Sequence, residues 1–354
     1  VAEHFTGDKK DDLSPADLFN HNTSTKDKIA LVVKYCAQDT WLLIDLMLKL
    51  RIVTNMIGMS NITMVPMQYI ELRGQQIRVH TQIAYETKKE NYLIPAADYK
   101  PKDTDDQEEK FTGATVLEAT PGAHFEPIAG LDFASLYPSI MIAHNYDYAT
   151  IVEDPEFDNL QGIDYFDMDW EEDDTDSDGN EIKRPVSVRF VQNRTGIMPK
   201  ILDRLWKERK GIRKQMKTLS PDDPLYAVLN GVQLAIKVSM NSIYGFTGAR
   251  YGRLPNKKIA AAVTACGREM IAHSKKCAEE WYDCEVVYGD TDSIYVKFKS
   301  DLKGQDHMNY VFKVAPECAD RISVTFKKPI ELEFEKVMYP FILYSKKRYA
   351  SLFW

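Results

Sequence analysis

The chain has 354 residues, 44% of them hydrophobic and 11% aromatic, with a formal net charge of −8. That composition belongs to a folded protein rather than a disordered one, and the length calls for two or three domains. The longest apolar stretches, such as WLLIDLMLKL at 41–50, are broken by charge and too short to span a bilayer, so no membrane partner is expected. Five cysteines (Cys36, Cys266, Cys277, Cys284 and Cys318) form no C-x-x-C pair, so neither a disulfide framework nor a zinc site is indicated, and a reducing intracellular setting is the plainer reading. No signal peptide is visible, and the chain opens on Val1 rather than Met.

Taken in chain order, residues 28–54 carry apolar positions at helical spacing with no Gly or Pro, which predicts one helix. Mixed helical character continues over 61–85, and the polar stretch 96–112 reads as a loop or linker. ATVLEA at 114–119 and PIAGLDF at 127–133 are β-like runs. LYPSIMIAHN then turns helical, with Pro138 in a first turn where proline is tolerated. Two helical patterns follow, about 199–217 and 225–244, joined by a turn around SPDDP and expected to form an antiparallel pair. A helix is expected over 257–282. CEVVYGDTDSIYVKF at 284–298 reads as a β-hairpin, its strands flanking Gly289-Asp290-Thr291-Asp292.

The net charge hides an asymmetry. Residues 153–181 hold fourteen acids and no Lys or Arg, and read as a surface insertion. Residues 183–258 hold seventeen Lys and Arg against four acids, a local balance of 17 − 4 = +13. A segment that basic suits a phosphate-bearing partner, although a solvated helix face accounts for it equally.

Three carboxylates stand out. Asp132 ends an apolar β-run, and Asp290 and Asp292 sit in a turn between two apolar strands. An Asp in a hairpin turn is commonly there for turn chemistry alone. Adjacent strands of one sheet could nevertheless bring all three together. Phosphoryl transfer to a hydroxyl asks for that kind of site: a few carboxylates on rigid backbone holding two divalent ions roughly 3.5–4 Å apart. On the second helix of the pair, Lys237, Asn241 and Tyr244 fall at i, i+4 and i+7, one face carrying a cation, an amide and a ring, or simply an exposed stripe.

Three segments decide between these readings by resemblance. Asp132-Phe-Ala-Ser-Leu-Tyr-Pro-Ser-Ile140, Lys237-Val-Ser-Met-Asn-Ser-Ile-Tyr-Gly245 and Tyr288-Gly-Asp-Thr-Asp-Ser293 resemble, in order and spacing, the signature motifs of the family B DNA polymerases. Lys346-Lys347-Arg348-Tyr349 resembles that family's K-K-R-Y element beside the primer–template duplex. RGQQIR at 73–78 and GIMPKIL followed by Arg209 are similar to its connector and first fingers helix.

The resemblance implies an α+β fold: a palm of antiparallel sheet with helices, antiparallel two-helix fingers, a partial exonuclease remnant at the N-terminus, and no thumb. The segments would be 1–60 (exonuclease), 61–125 (connector and N-terminal palm region), 126–195 (palm, with insertion 153–181), 196–250 (fingers) and 251–354 (palm). It implies DNA-directed addition of deoxyribonucleotides to a primer 3′-hydroxyl with two Mg²⁺ ions, in the nucleus or at a viral replication site. Asp132 and Asp290 would be the principal metal ligands, with Asp292 the third carboxylate and the Phe133 carbonyl completing the set. The amides of Ser135, Leu136 and Tyr137 would cradle the triphosphate at a helix start. The Tyr137 ring would exclude a 2′-hydroxyl, and Arg209, Lys237, Asn241 and Tyr244 would meet the nucleotide. Gly245, Tyr288, Thr291 and Lys346 to Tyr349 would contact DNA. A sliding clamp is expected by family analogy only.

Tyr35 and Asp39 resemble the last exonuclease motif, Y-x-x-x-D, but the upstream carboxylates are not found, so no proofreading is expected of this stretch. Reverse transcription is disfavoured because its enzymes typically show Y-x-D-D. A scaffold reading is disfavoured because all three acids are present. Asp174-Thr-Asp-Ser-Asp-Gly179 imitates the start of a calcium loop, but its twelfth position is Pro185 rather than Glu. The insertion, together with GATVLEA at 113–119, is more like the polymerases of large DNA viruses of algae than cellular enzymes.

Overall fold

The computed structural model describes residues 1–22, 25–95, 112–175, 181–249 and 252–354. These group into two compact units, one of Val1–Arg73 with Gly211–Ile236 and one of Gly74–Lys210 with Lys237–Trp354. The expected linker 96–112 lies, but for its last residue, outside the described residues, as does most of the calcium-loop look-alike, at 176–180.

The first unit is helical: α1 (Ala2–Thr6), α2 (Pro15–Asn22), α3 (Lys26–Lys49), α4 (Ile52–Thr63) and α5 (Met67–Leu72). The single helix expected over 28–54 is therefore two. The break has no Gly or Pro; Arg51 takes a left-handed conformation at φ 50°. Local side chains stabilise it, because Asn55 Nδ2 donates to the freed Leu50 carbonyl at 3.2 Å and Arg51 donates to the Pro224 carbonyl at 3.3 Å.

The second unit begins with α6 (Gln75–Lys89). Then come β1 (Gly122–His124), β2 (Ile128–Phe133), α7 (Leu136–His144), β3 (Ile151–Val152), β4 (Tyr165–Thr175), β5 (Glu181–Val191) and α8 (Ile197–Met216). Next are α9 (Pro224–Gly248), α10 (Lys257–Trp281), β6 (Cys284–Asp290), β7 (Ser293–Phe298), α11 (Gly304–Ser323), β8 (Leu332–Ser345) and β9 (Arg348–Phe353), with α8 and α9 each running across the boundary between units. The helices expected at 199–217, 225–244 and 257–282 and the hairpin at 284–298 all form, within a few residues. Asn256 caps α10 by accepting from the Ile259 amide at 3.0 Å.

A six-stranded antiparallel sheet runs in the order β1-β8-β2-β7-β6, with β9 pairing β8. The central β2 is apolar because both its faces are covered: Ile128, Ala129, Leu131 and Phe133 are at most 1% exposed. Each large side chain buried so contributes about 1.5–3 kcal/mol. Helices α10 and α11 lie against the sheet through buried rows that include Ala262, Val263, Cys266, Val311, Ala315 and Ile322. ATVLEA does not become a full strand. It makes one bridge, Val116 with Asp290, and runs beside β6 through Leu117 N to Gly289 O and Thr120 N to Val287 O, both 2.9 Å.

The acidic block is more ordered than an inserted loop. Its second half is β4, paired along its whole length with β5 in a separate three-stranded sheet. Met168 is buried and Phe166 and Trp170 are half-buried, while Asp167, Asp169 and Glu171 face solvent. That is the period-2 pattern of a half-buried strand. Charge sets the partner. Arg189 grips Asp167 with two bonds of 2.6 and 2.8 Å, and the register puts Glu172 opposite Arg184 and Asp173 opposite Lys183. No described helix is long and apolar enough to cross a membrane.

Candidate active site

Asp132 occupies the last turn of the pleat in β2, directly opposite Ser293 on β7. The Ser293 hydroxyl donates to Asp132 Oδ1 at 2.6 Å, and the Phe133 amide donates to the Asp292 carbonyl at 2.8 Å. These two bonds hold the end of β2 against the β6–β7 turn. Carboxylates 160 positions apart in sequence thereby share one edge of the sheet.

The turn itself is two residues, Thr291 and Asp292, between the paired Asp290 and Ser293. Thr291 sits at φ 56°, a conformation β-branched residues rarely adopt. Its hydroxyl donates to Asp290 Oδ1 at 2.9 Å. Two neighbours share the left-handed region, Ser135 at φ 52° before α7 and Lys347 at φ 63° between β8 and β9. Backbone held in such wells clusters where function demands a geometry. Gly289 is closely packed: a Cβ there would lie 2.6 Å from Leu117 Cδ1 and 3.2 Å from the Ser293 carbonyl, so the Leu117 side chain would have to shift.

The three acids are not equivalent. Asp290 is engaged on both oxygens: Lys347 Nζ at 2.9 Å and Thr291 on Oδ1, and the Tyr288 hydroxyl at 3.3 Å on Oδ2. Asp132 and Asp292 instead face one another's charge. Burial pushes the Asp132 carboxyl up to about 6, the Ser293 hydrogen bond opposes that, and the Asp292 charge adds to it. Burial likewise raises Asp292, with Asp290 adding to the effect and Lys237 opposing it. Lys237, exposed on α9, is thus the cation whose field reaches both acids. Glu335 adds further negative charge, and Glu333 is the register partner of Asp132 on β8.

Two half-buried acids with raised proton affinity and one lysine nearby form a site that a divalent cation would relieve. The donor set therefore fits a hard cation at Asp132 and Asp292. Among the described residues, however, no group of three or more Asp, Glu, His or Cys is arranged to hold a metal ion.

Helix α7 starts immediately beyond, with Ser135 as N-cap and no side-chain capping bond. The first-turn amides of such a helix lack intrahelical acceptors, which suits an anion at Ser135, Leu136 and Tyr137. Tyr137 is half-buried against Tyr244 of α9, with ring centroids 4.4 Å apart. Burial pushes its hydroxyl up to about 12, so it remains protonated. Gly267 of α10 lies next to the ring, where a Cβ would stand 3.4 Å from Tyr137 Cε1, an ordinary packing distance. Asn241 and Gly245 are exposed on α9, the former one helical turn beyond Lys237. Arg209 is half-buried on α8.

The K-K-R-Y segment lies at the β8–β9 turn beside this edge. Lys346 pairs with Glu118 at 2.6 Å, and the Lys347 amide donates to the Tyr288 hydroxyl at 2.8 Å. Arg348 is exposed, and the Tyr349 hydroxyl meets that of Tyr295 at 3.0 Å. Tyr288 is fully buried, stacked on Tyr295 with centroids 5.3 Å apart. In the helical unit, Tyr35 and Asp39 share a face of α3, where Lys10 pairs with Asp39 at 2.7 Å and lies 5.9 Å from the Tyr35 ring.

Sequence reasoning missed Ser293 as the partner of Asp132, although it ends one of the quoted motifs. It also missed Arg268 of α10, whose charge acts on Tyr137 and Tyr244 while its guanidinium donates to the Thr112 and Gly113 carbonyls at 2.7 and 2.8 Å. Nothing local marks Arg268; only tertiary packing brings it there.

Comparison with known proteins bears on the same elements. The sequence profile of DNA polymerase family B matches residues 65–354. The whole chain is 40% identical to the DNA polymerase delta catalytic subunit of Glycine max, spanning 31% of that protein. It is also 40% identical, over 99% of its length, to the DNA polymerase of Paramecium bursaria Chlorella virus NY2A, spanning 38% of it. The chain thus spans about a third of the length of the curated relatives it matches. Among solved structures, the family B DNA polymerase of the archaeon Pyrobaculum calidifontis superposes with a TM-score of 0.64 at 26% identity, over 100% of this chain and 41% of that one. By its profile, its relatives and its fold, the chain belongs to DNA polymerase family B.

Proposed function

We propose that this chain carries the polymerisation site of a DNA-directed DNA polymerase, adding deoxyribonucleotides to a primer 3′-hydroxyl in DNA replication. The observation that carries the reading is the convergence of Asp132 with Asp292, fixed by the Ser293–Asp132 and Phe133–Asp292 hydrogen bonds. Asp132 and Asp292 are the pair that would hold divalent cations, Mg²⁺ by the hardness of their oxygens. Asp290, occupied by Lys347 and Tyr288, is then a supporting acid rather than a principal ligand. When bound, two such ions neutralise the transferring phosphoryl group and lower the pKa of the attacking hydroxyl.

The protein's own groups do the positioning. The start of α7 offers the Ser135, Leu136 and Tyr137 amides and its positive dipole end to the triphosphate. Lys237 brings a cation to the same edge, with Asn241 one turn further along α9. The Tyr137 ring, packed on Tyr244 and next to α10, is the surface against which the sugar would rest, and its bulk would be what excludes a 2′-hydroxyl. Lys346 to Tyr349, next to the hairpin, would run along the primer–template, with Tyr288 and Thr291 behind them.

In this reading 126–195 and 251–354 form the palm, 196–250 the fingers, 61–125 the connector, and 1–60 the end of an exonuclease domain. Tyr35 and Asp39, which share a face of α3 with Lys10 beside them, would be the last part of that domain's site. A clamp partner remains a family analogy.

The test is primer extension by the complete protein, with and without Mg²⁺, comparing the natural enzyme with Lys237→Ala. The expected result is metal-dependent extension, a severe loss of nucleotide incorporation in the variant, and nearly intact primer–template binding. Metal-independent or absent extension, or equal losses in both assays, would overturn the assignment.

A further inference from the structure

Beyond the acids and the nucleotide stripe, one buried carboxylate stands out. Asp147, just past α7, is fully buried, yet its partners are backbone amides. Its Oδ2 accepts from the Ala149 amide at 2.9 Å and the Ile197 amide at 3.0 Å, and its Oδ1 from the Met198 amide at 2.8 Å. Ile197 and Met198 are the first two residues of α8. Neighbouring Asn145, the C-cap of α7 at φ 58°, accepts from the Gly196 amide at 2.8 Å and donates to the Val191 and Arg194 carbonyls at 2.6 and 2.8 Å. Gly196 completes the joint, because a Cβ there would lie 2.5 Å from Asp147 Cβ.

Two side chains therefore fasten the end of α7 to the start of α8. Burial pushes the Asp147 carboxyl up, while the amides it accepts from pull it down by favouring the charged form. A negative group at a helix N-terminus also complements the helix dipole.

We infer that Asp147, with Asn145 and Gly196, is a positioning residue for nucleotide binding: it sets the axis of α8 and through it the reach of Arg209. This rests on the functional reading above. Twelve residues separate Ile197 from Arg209, about 18 Å along the helix at 1.5 Å per residue. A tilt of about 10° at the base then displaces Arg209 by about 3 Å, and displacements of about 1 Å near reacting groups can cost about a hundredfold in rate. The other end of α7 is the Ser135–Tyr137 cradle, so a single nine-residue helix links that cradle to the origin of α8.

The experiment is a double-mutant cycle in the complete protein, measuring nucleotide KM, kcat, primer–template Kd and Tm. Asp147→Asn preserves volume but turns an NH₂ group toward an amide it formerly accepted from. It should raise nucleotide KM about tenfold while primer–template Kd stays within about twofold. Asp147→Asn with Arg209→Ala should be no worse than Arg209→Ala alone, since both act at one cation. Gly196→Ala, which keeps the carboxylate, should show the same KM-selective pattern if Asp147→Asn fails to fold. Additive losses in the cycle, or a lowered Tm with unchanged KM, overturn the inference. An unaltered protein that does not extend primers would instead sink the functional reading itself.

Discussion

Replacing Ser293 by Ala isolates the bond that tunes Asp132. The hydroxyl donates at 2.6 Å to a carboxylate whose proton affinity burial has raised to about 6. A hydrogen bond to a charged group is worth about 1.5–3 kcal/mol net, and the lower figure suits a half-buried site. At about 1.4 kcal/mol per pKa unit, losing it moves Asp132 from about 6 to about 7. The ionised fraction at pH 7 then falls from about 90% to about half.

The sign for stability follows from a folded pKa above the unfolded value near 3.8. The contribution is fully present below that unfolded value and is lost as pH rises through about 6, or through about 7 in the variant. Carbon-13 NMR titration of the Asp132 carboxyl in metal-free protein reads the pKa directly. Mg²⁺ titrations at pH 5.5 to 8 should show binding in Ser293→Ala weakened below pH 7. A midpoint within about 0.3 units of the natural protein's would refute the account of how Asp132 is tuned.

The acids should separate by role. Asp132→Asn or Asp292→Asn should reduce single-turnover incorporation by about a thousandfold or more, while Asp290→Asn, whose partner is Lys347, should cost far less; equal losses at 290 and 292 would restore Asp290 to the principal pair. Tyr137→Ala should let ribonucleotides compete, lowering the ratio of deoxyribo- to ribonucleotide kcat/KM at least about tenfold, and an unchanged ratio would dismiss the ring as a sugar filter. Gly289→Ala should destabilise by about 1–3 kcal/mol through contact with Leu117, with Leu117→Ala recovering part of it in denaturant unfolding; a double variant no better than Gly289→Ala alone would show that the strain lies elsewhere.

Much of the architecture is legible in local pattern. The hairpin at 284–298, α8 to α10 and the apolar run of β2 are each specified by a periodicity or cap that operates within a few residues. β4 was equally legible, since Phe166, Met168 and Trp170 alternate with acids, but the density of negative charge obscured that pattern. Its strand depends on Arg189, Arg184 and Lys183 arriving from β5 to balance it. The break at Arg51 carried no Gly or Pro signal because Asn55 and the Pro224 carbonyl supply the compensation.

By itself the sequence singled out the three acids, the α7 start and the Lys237 stripe as candidates, because motif composition carries chemical groups in a recognisable order. Which carboxylate meets Asp132 was decided only by tertiary structure. Around a two-residue turn, neighbouring side chains point apart, and the direction each takes depends on strand register. The register that pairs Asp132 with Ser293 brings the Asp292 charge to bear on Asp132, while Asp290 is held by Lys347 and Tyr288. The same holds for Asp147: a lone Asp after a helix is unremarkable until the chain returns fifty residues later and hands it the amides of α8.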